Sequence, residues 1–225
     1  MTELFNIEEL LRYPKKGDPV LPSPAPLDRY GGNPADACAF GYRRAACILA
    51  ERAFERGDEV FLLYPVVFLY RHHVELMLKS IIYAFDHPSV RLNTREPALN
   101  EADRQNLSKG KKAHSLQWLW GRLLPAVKAL GNDIHHSETV EGISFYIQQL
   151  NEIDPGSVSF RYTTAITETR AKLKKAQKPG AEVSVQTFAE AMERLANYLD
   201  GLDGYAGAII EAHDEMIAEA HDNAY

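Results

Sequence analysis

Residues 59–85 read EVFLLYPVVFLYRHHVELMLKSIIYAF, the most apolar stretch of the chain. Its Val, Phe and Tyr content suits a strand, but 27 residues is several times the length of an ordinary one. A helix removes the conflict. Apolar residues run nearly all the way round it, so that helix is expected to be enclosed by others. Pro65 is tolerated in a first helical turn, where its missing N–H is not needed, so the buried central helix is placed from Pro65 to Phe85. Its longest charge-free run, Val60 to Tyr70, is 11 residues, far short of the roughly 20 that cross a bilayer.

Working outward, Asp36 to Arg56 alternates apolar and charged residues at helical spacing and ends at Gly57-Asp58. Residues 1–35 read as an N-terminal extension whose Pro-rich part, DPVLPSPAPLDRYGGNP, precludes regular structure and forms an irregular arm. On the other side, Asp86 to Ala113 reads as a long polar connection without regular structure, the kind of segment more often functional than inert. Ser115 is an N-cap for SLQWLWGRLLPAVKAL, which Gly131 stops. Glu138 to Ile153 is amphipathic and closes at Asp154-Pro155-Gly156; Ser157 to Thr164 reads as extended or loop, and Thr169 to Lys178 is basic. The tail from Ser184 to His221 is helical, with a hinge expected at Gly201, Gly204 and Gly207. The organisation is therefore an extension (1–35), a bundle (36–181) and an acidic helical segment (182–225) packed on the same domain. The predicted class is all-α, a helical bundle.

The chain has 225 residues, 25 Lys+Arg, 31 Asp+Glu and a net charge of -6, with 45% of its residues apolar. That balance excludes a disordered or fibrous protein. The two cysteines, Cys38 and Cys47, are nine residues apart on one predicted helix and point in opposite directions, which excludes a disulfide scaffold and suits a reducing compartment. The opening MTELFNIEELLRYPKKGD lacks the basic start and unbroken apolar run of a secretory signal. A cytoplasmic location off the membrane is expected. The charge is unevenly spread: from residue 182 onward ten acids face one base, Arg194, leaving 24 bases and 21 acids in residues 1–181. The basic segments at Lys109/Lys111/Lys112 and Arg170–Lys178 suit a phosphate backbone.

The candidate chemistry sits inside the apolar run. Arg71, Glu75 and Lys79 are spaced i, i+4, i+8 and share one helical stripe, with His72 beside them. Unpaired buried charge costs several kcal/mol. The stripe is therefore either an internal ion network that fixes packing or the wall of a phosphate-facing groove, in which Arg would bind phosphate and His would move a proton. His114 opens the next strong helix, and Arg161 lies between Phe160 and Tyr162 as a phosphate contact or the partner of a buried acid such as Glu75. His135-His136 reads as a solvated turn. Glu211, Glu215 and Glu219, flanked by His213 and His221, read as an exposed acidic face rather than a metal site. No phosphate loop, His-Glu-x-x-His or nucleophile elbow is present.

Taken together, Arg71-His72-x-x-Glu75-Leu76-x-Leu78-Lys79, His114-x-Leu116-x-x-Leu119-Trp120 and Asp154-Pro155-x-Ser157-x-x-Phe160-Arg161-Tyr162 resemble a string in divergent bacterial members of the HEPN (higher eukaryotes and prokaryotes nucleotide-binding) superfamily. The resemblance spans residues 40 to 165. It implies an α-helical bundle, commonly dimeric; many HEPN proteins are metal-independent ribonucleases of toxin–antitoxin and antiviral systems, and others bind nucleotides or serve as scaffolds. The nuclease members carry Arg, then four to six residues, then His, a spacing this chain lacks. Two expectations follow from the resemblance. One is a component of a bacterial defence or toxin–antitoxin system that binds RNA or nucleotide, with Arg71, His72 and His114 catalytic, Arg161 and Lys79 on phosphate, Glu75 orienting, and neither metal nor cofactor. The other is a non-catalytic dimeric adaptor or regulatory module that binds a partner protein. Separately, the charge split suggests that the acidic C-terminal helix either shields the basic surface or docks on a partner.

Overall fold

The 59–85 stretch forms one continuous helix in the computed structural model, which describes residues 34–95, 98–131, 137–157 and 184–222. All of these but Pro34 fall in one unit, Ala35–Tyr225. They are helical, with no strand among the described residues: α1 (Pro34–Arg56), α2 (Glu59–Phe85), α3 (Pro88–Thr94), α4 (Glu101–Lys109), a 3-10 turn (Lys111–His114), α5 (Leu116–Ala129), α6 (Ser137–Ile153) and α7 (Val185–Asp222). This is the expected all-α bundle. No described helix is long and apolar enough to cross a membrane. The 1–35 arm, the Ser157–Thr164 segment beyond Ser157, the basic Thr169–Lys178 stretch, Arg161 and His135-His136 lie outside the described residues, Pro34 and Ala35 of the arm excepted.

The central helix begins at Glu59, not at Pro65, which sits within it. Pro65 removes the N–H that would bond the Phe61 carbonyl. Both residues are exposed, Phe61 by 77%, so water can satisfy the carbonyl left over. Pro125 follows the same rule: it lies inside α5 with Gly121, four residues earlier, also exposed. α2 packs against α7 on one side and α5 on another, and α6 closes on α5 and α7. Val66, Tyr70, Val74, Leu78 and Ile81 have no exposed surface; each such Val, Leu or Ile contributes roughly 1.5–3 kcal/mol on burial. α1 buries a stripe of small residues, Ala39, Ala46, Ala50 and Ala53.

The Asp86 to Ala113 connection is not structureless: it is built from α3, α4 and the 3-10 turn. Few apolar residues mark these pieces, since α4 buries only Leu107. Capping holds them instead. The His87 ring accepts from the Ser89 N–H, and Asn100 Oδ1 accepts from the Asp103 N–H at 2.8 Å. Asp86 ties the pieces back, with Oδ1 accepting from the Leu99 N–H at 2.7 Å and Oδ2 from Arg104. The hinge expected in the tail is also absent, α7 being one helix of 38 residues. Gly201, Gly204 and Gly207 are all exposed, beside an unbroken buried stripe of Leu195, Leu199, Leu202 and Ala206 whose packing carries the helix past them. Ser115 does cap α5, its Oγ accepting from the Trp118 N–H at 3.2 Å, and Gly131 ends it at φ +82°.

Candidate functional site

Arg71, Glu75 and Lys79 do line one stripe of α2, and the 3-10 turn and the end of α6 close over it. Every nitrogen of the Arg71 guanidinium is engaged. Nε donates to the Asp154 carbonyl at 3.1 Å and lies 3.4 Å from its carboxylate, NH1 donates to Glu75 Oε2 at 2.9 Å, and NH2 donates to the His114 carbonyl. Arg71 has no exposed surface, and the Glu75 and Asp154 side chains are 1% exposed. The other Glu75 oxygen, Oε1, accepts from Lys79 Nζ and from His114 Nδ1, both at 2.8 Å. Those two nitrogens are thus at most two bond lengths apart. One planar cation therefore pins α2 to the 3-10 turn and to the end of α6, and one carboxylate joins a lysine to a histidine.

Burial alone would raise the Glu75 carboxyl, but the hydrogen bonds and charges of Lys79 and Arg71 outweigh it and hold the pKa below the ordinary value. An ionised Glu75 accepts the Nδ1 proton of His114 and so orients the ring with Nε2 turned away from the carboxylate; in the neutral ring that tautomer carries the lone pair on Nε2. The ring is 52% exposed and Lys79 is 21% exposed, so the pair opens to solvent while its supports do not. Chemically the arrangement offers a held imidazole able to accept a proton, with an ammonium beside it able to meet an anion.

The remaining sequence candidates fall elsewhere. His72 is not on this stripe: its ring stacks on Phe68 at 5.9 Å and meets the edge of Tyr42 at 4.4 Å. Arg161 is among the residues left undescribed. Among the described residues no group of three or more His, Cys, Asp or Glu is placed to hold a metal ion. Asp154, quoted in the motif string but given no role, is the residue the sequence reading missed; its position at the end of α6, where a turn begins, was the available signal.

A second polar cluster joins α1, α2 and α7. Arg43 donates to Glu193 Oε2 from Nε at 3.0 Å and from NH2 at 2.6 Å, and to Asp200 and Asn197. Glu193 Oε1 accepts from the Tyr70 hydroxyl and the Cys47 thiol, each at 3.0 Å. Burial pushes the Cys47 thiol up, away from the thiolate form. A groove of about 450 Å³ runs beside it, lined by Phe54, Tyr70, Glu190 and Arg194 among others. Nothing in the spacing of α1 or α7 announces this cluster, because Glu193 lies more than 100 residues from Arg43, Cys47 and Tyr70. Set beside family models, curated proteins and solved structures, the chain matches none.

Proposed function

We propose that the chain is an RNA- or nucleotide-binding helical protein in which His114, held by Glu75, accepts a proton in metal-independent phosphodiester chemistry. The single observation that carries this reading is the shared Glu75 Oε1, which places His114 Nδ1 and Lys79 Nζ on one buried carboxylate with the imidazole half exposed. On an RNA strand, Nε2 takes the proton of a 2'-hydroxyl, and the 2'-oxygen bonds to phosphorus. The bond from phosphorus to the 5'-oxygen breaks, that oxygen takes a proton from water, and a 2',3'-cyclic phosphate remains. Lys79 meets the non-bridging oxygens. Arg71, with no exposed atom, is a positioning residue that acts through the His114 carbonyl and Glu75. The resemblance to HEPN proteins suggests a bacterial defence or toxin–antitoxin setting, and Arg161 remains a proposed phosphate contact.

The test is cleavage of total RNA and tRNA with EDTA present. Wild type is expected to cleave, His114→Ala to lose about 10²–10⁴-fold in rate, and His72→Ala to match wild type because its ring lies off the site. No cleavage by folded wild type removes the catalytic reading. The non-catalytic dimeric adaptor would then stand, favoured by a network in which each Arg71 nitrogen already donates within the protein.

A further inference from the structure

The core-facing stripe of α7 outlasts the core. Leu195, Leu199, Leu202 and Ala206 are buried in the bundle, and the alternating three- and four-residue spacing continues through Ile209, Ile210, His213, Met216, Ile217 and Ala220. Ile209, Ile210 and His213 are half-buried. From Glu211 on, every other described residue is exposed, including Met216 at 62% and Ile217 at 52%. About 18 Å of helix (12 residues at ~1.5 Å each) thus carries an apolar seam that meets the His87 ring at His213 and, among the described residues, lies open at Met216, Ile217 and Ala220. The rest of its circumference is one sign of charge: Glu211, Asp214, Glu215, Glu219 and Asp222, with no Lys or Arg after Arg194.

We infer that the projecting end of α7, Glu211–Asp222, is a docking surface for a partner protein that presents an amphipathic helix with apolar residues at three- and four-residue spacing and Lys or Arg beside them. The seam supplies the apolar contact, in the manner of a helix laid along a helix. The charge chooses the occupant. A second copy would set five carboxylates against five, whereas a basic helix finds the opposite sign along the whole projection, which speeds encounter and fixes partner choice.

Two synthetic helical peptides with Leu at that spacing, one flanked by Lys and one by Glu, serve as probes against the full chain in fluorescence anisotropy. The Lys-flanked peptide is expected to bind wild type, to weaken on raising salt from about 50 to about 500 mM, and to lose at least about tenfold in affinity for Met216→Ser/Ile217→Ser. Both substituted residues are exposed, so circular dichroism of the variant should match wild type. Equal binding of the two peptides overturns the proposal, as does an unchanged affinity in the variant, which would reduce the effect to charge alone. Sedimentation of wild type that shows self-association abolished in the variant overturns it too, by making a second copy the occupant.

Discussion

Replacing Arg71 by Met should cost about 3–5 kcal/mol, the usual loss when one partner of a buried ion cluster is removed. Met fills much of the aliphatic volume, so the loss comes from the stranded groups. The Asp154 carboxylate, 1% exposed, loses the guanidinium 3.4 Å away, and Glu75 keeps only Lys79 and His114. The Asp154 and His114 carbonyls also lose their donors. Arg71→Lys should fall between, since one ammonium cannot reach all of these acceptors. Urea unfolding followed by circular dichroism at 222 nm measures it. With a slope of roughly 2–3 kcal/mol per molar, the midpoint should drop by about 1–2.5 M.

The pH dependence sharpens the test. Glu75 titrates below its ordinary value when folded, so the stability it contributes is fully present above the unfolded pKa of about 4.3 and is lost as pH falls through the folded value. The difference between wild type and Arg71→Met should therefore be largest near neutrality and shrink in acid, as Glu75 takes up its proton. A variant within about 1 kcal/mol of wild type at pH 7, or a gap that widens in acid, would falsify the view that Arg71 holds the α2, 3-10 and α6 junction together.

Trp120→Phe removes the indole donor to Ser144 Oγ at 2.8 Å and should cost about 1 kcal/mol in the same assay; no change would mean that Ser144, already bonded to the Val140 carbonyl, does not need it. Arg43→Ala releases α1 from Glu193, Asp200 and Asn197; hydrogen exchange should quicken in α1 before α2, and uniform protection would refute that. His73, 1% exposed with Nδ1 donating to the Ala39 carbonyl at 2.9 Å, has its pKa lowered by burial. Its folded titration midpoint by NMR should lie below about 6.5, and stability should fall as pH drops past that value because only the unfolded chain then binds the proton. Gly131→Ala should cost about 1–2 kcal/mol, because φ is +82° there although its Cβ would meet nothing.

The helical class was legible because α2 is too long and too apolar for anything else, and the ends of α5 were legible because Ser115 and Gly131 act through local chemistry alone. Pro65 misled because a proline's cost depends on whether the freed carbonyl meets water, which is a property of the folded surface. α3 and α4 stayed hidden for a related reason: caps and the Asp86 carboxylate hold them, and the Leu99 and Arg104 partners of that carboxylate are not periodic with it. At the candidate site, the i, i+4, i+8 stripe exposed Arg71, Glu75 and Lys79. His72 was drawn in by adjacency in sequence, yet one residue along a helix is about 100° round it, enough to turn its ring to Tyr42 and Phe68.

A charged cluster in the middle of an apolar helix needs a reason beyond stability, because well-packed aliphatic side chains usually hold a core as well or better. Two features of this cluster bear on the reason. Its bonds converge on one residue: Arg71 takes the His114 carbonyl while Glu75 takes the His114 ring, so the imidazole is fixed at both its backbone and its side chain. Its exposure is also graded, from Arg71 with none through Lys79 at 21% to His114 at 52%. A network serving only to lock helices would have no need of a half-exposed imidazole at its outer end. A network that must hold one imidazole in a single tautomer and orientation against solvent has need of both features, since the loss of ring freedom is then met by bonds that water cannot replace.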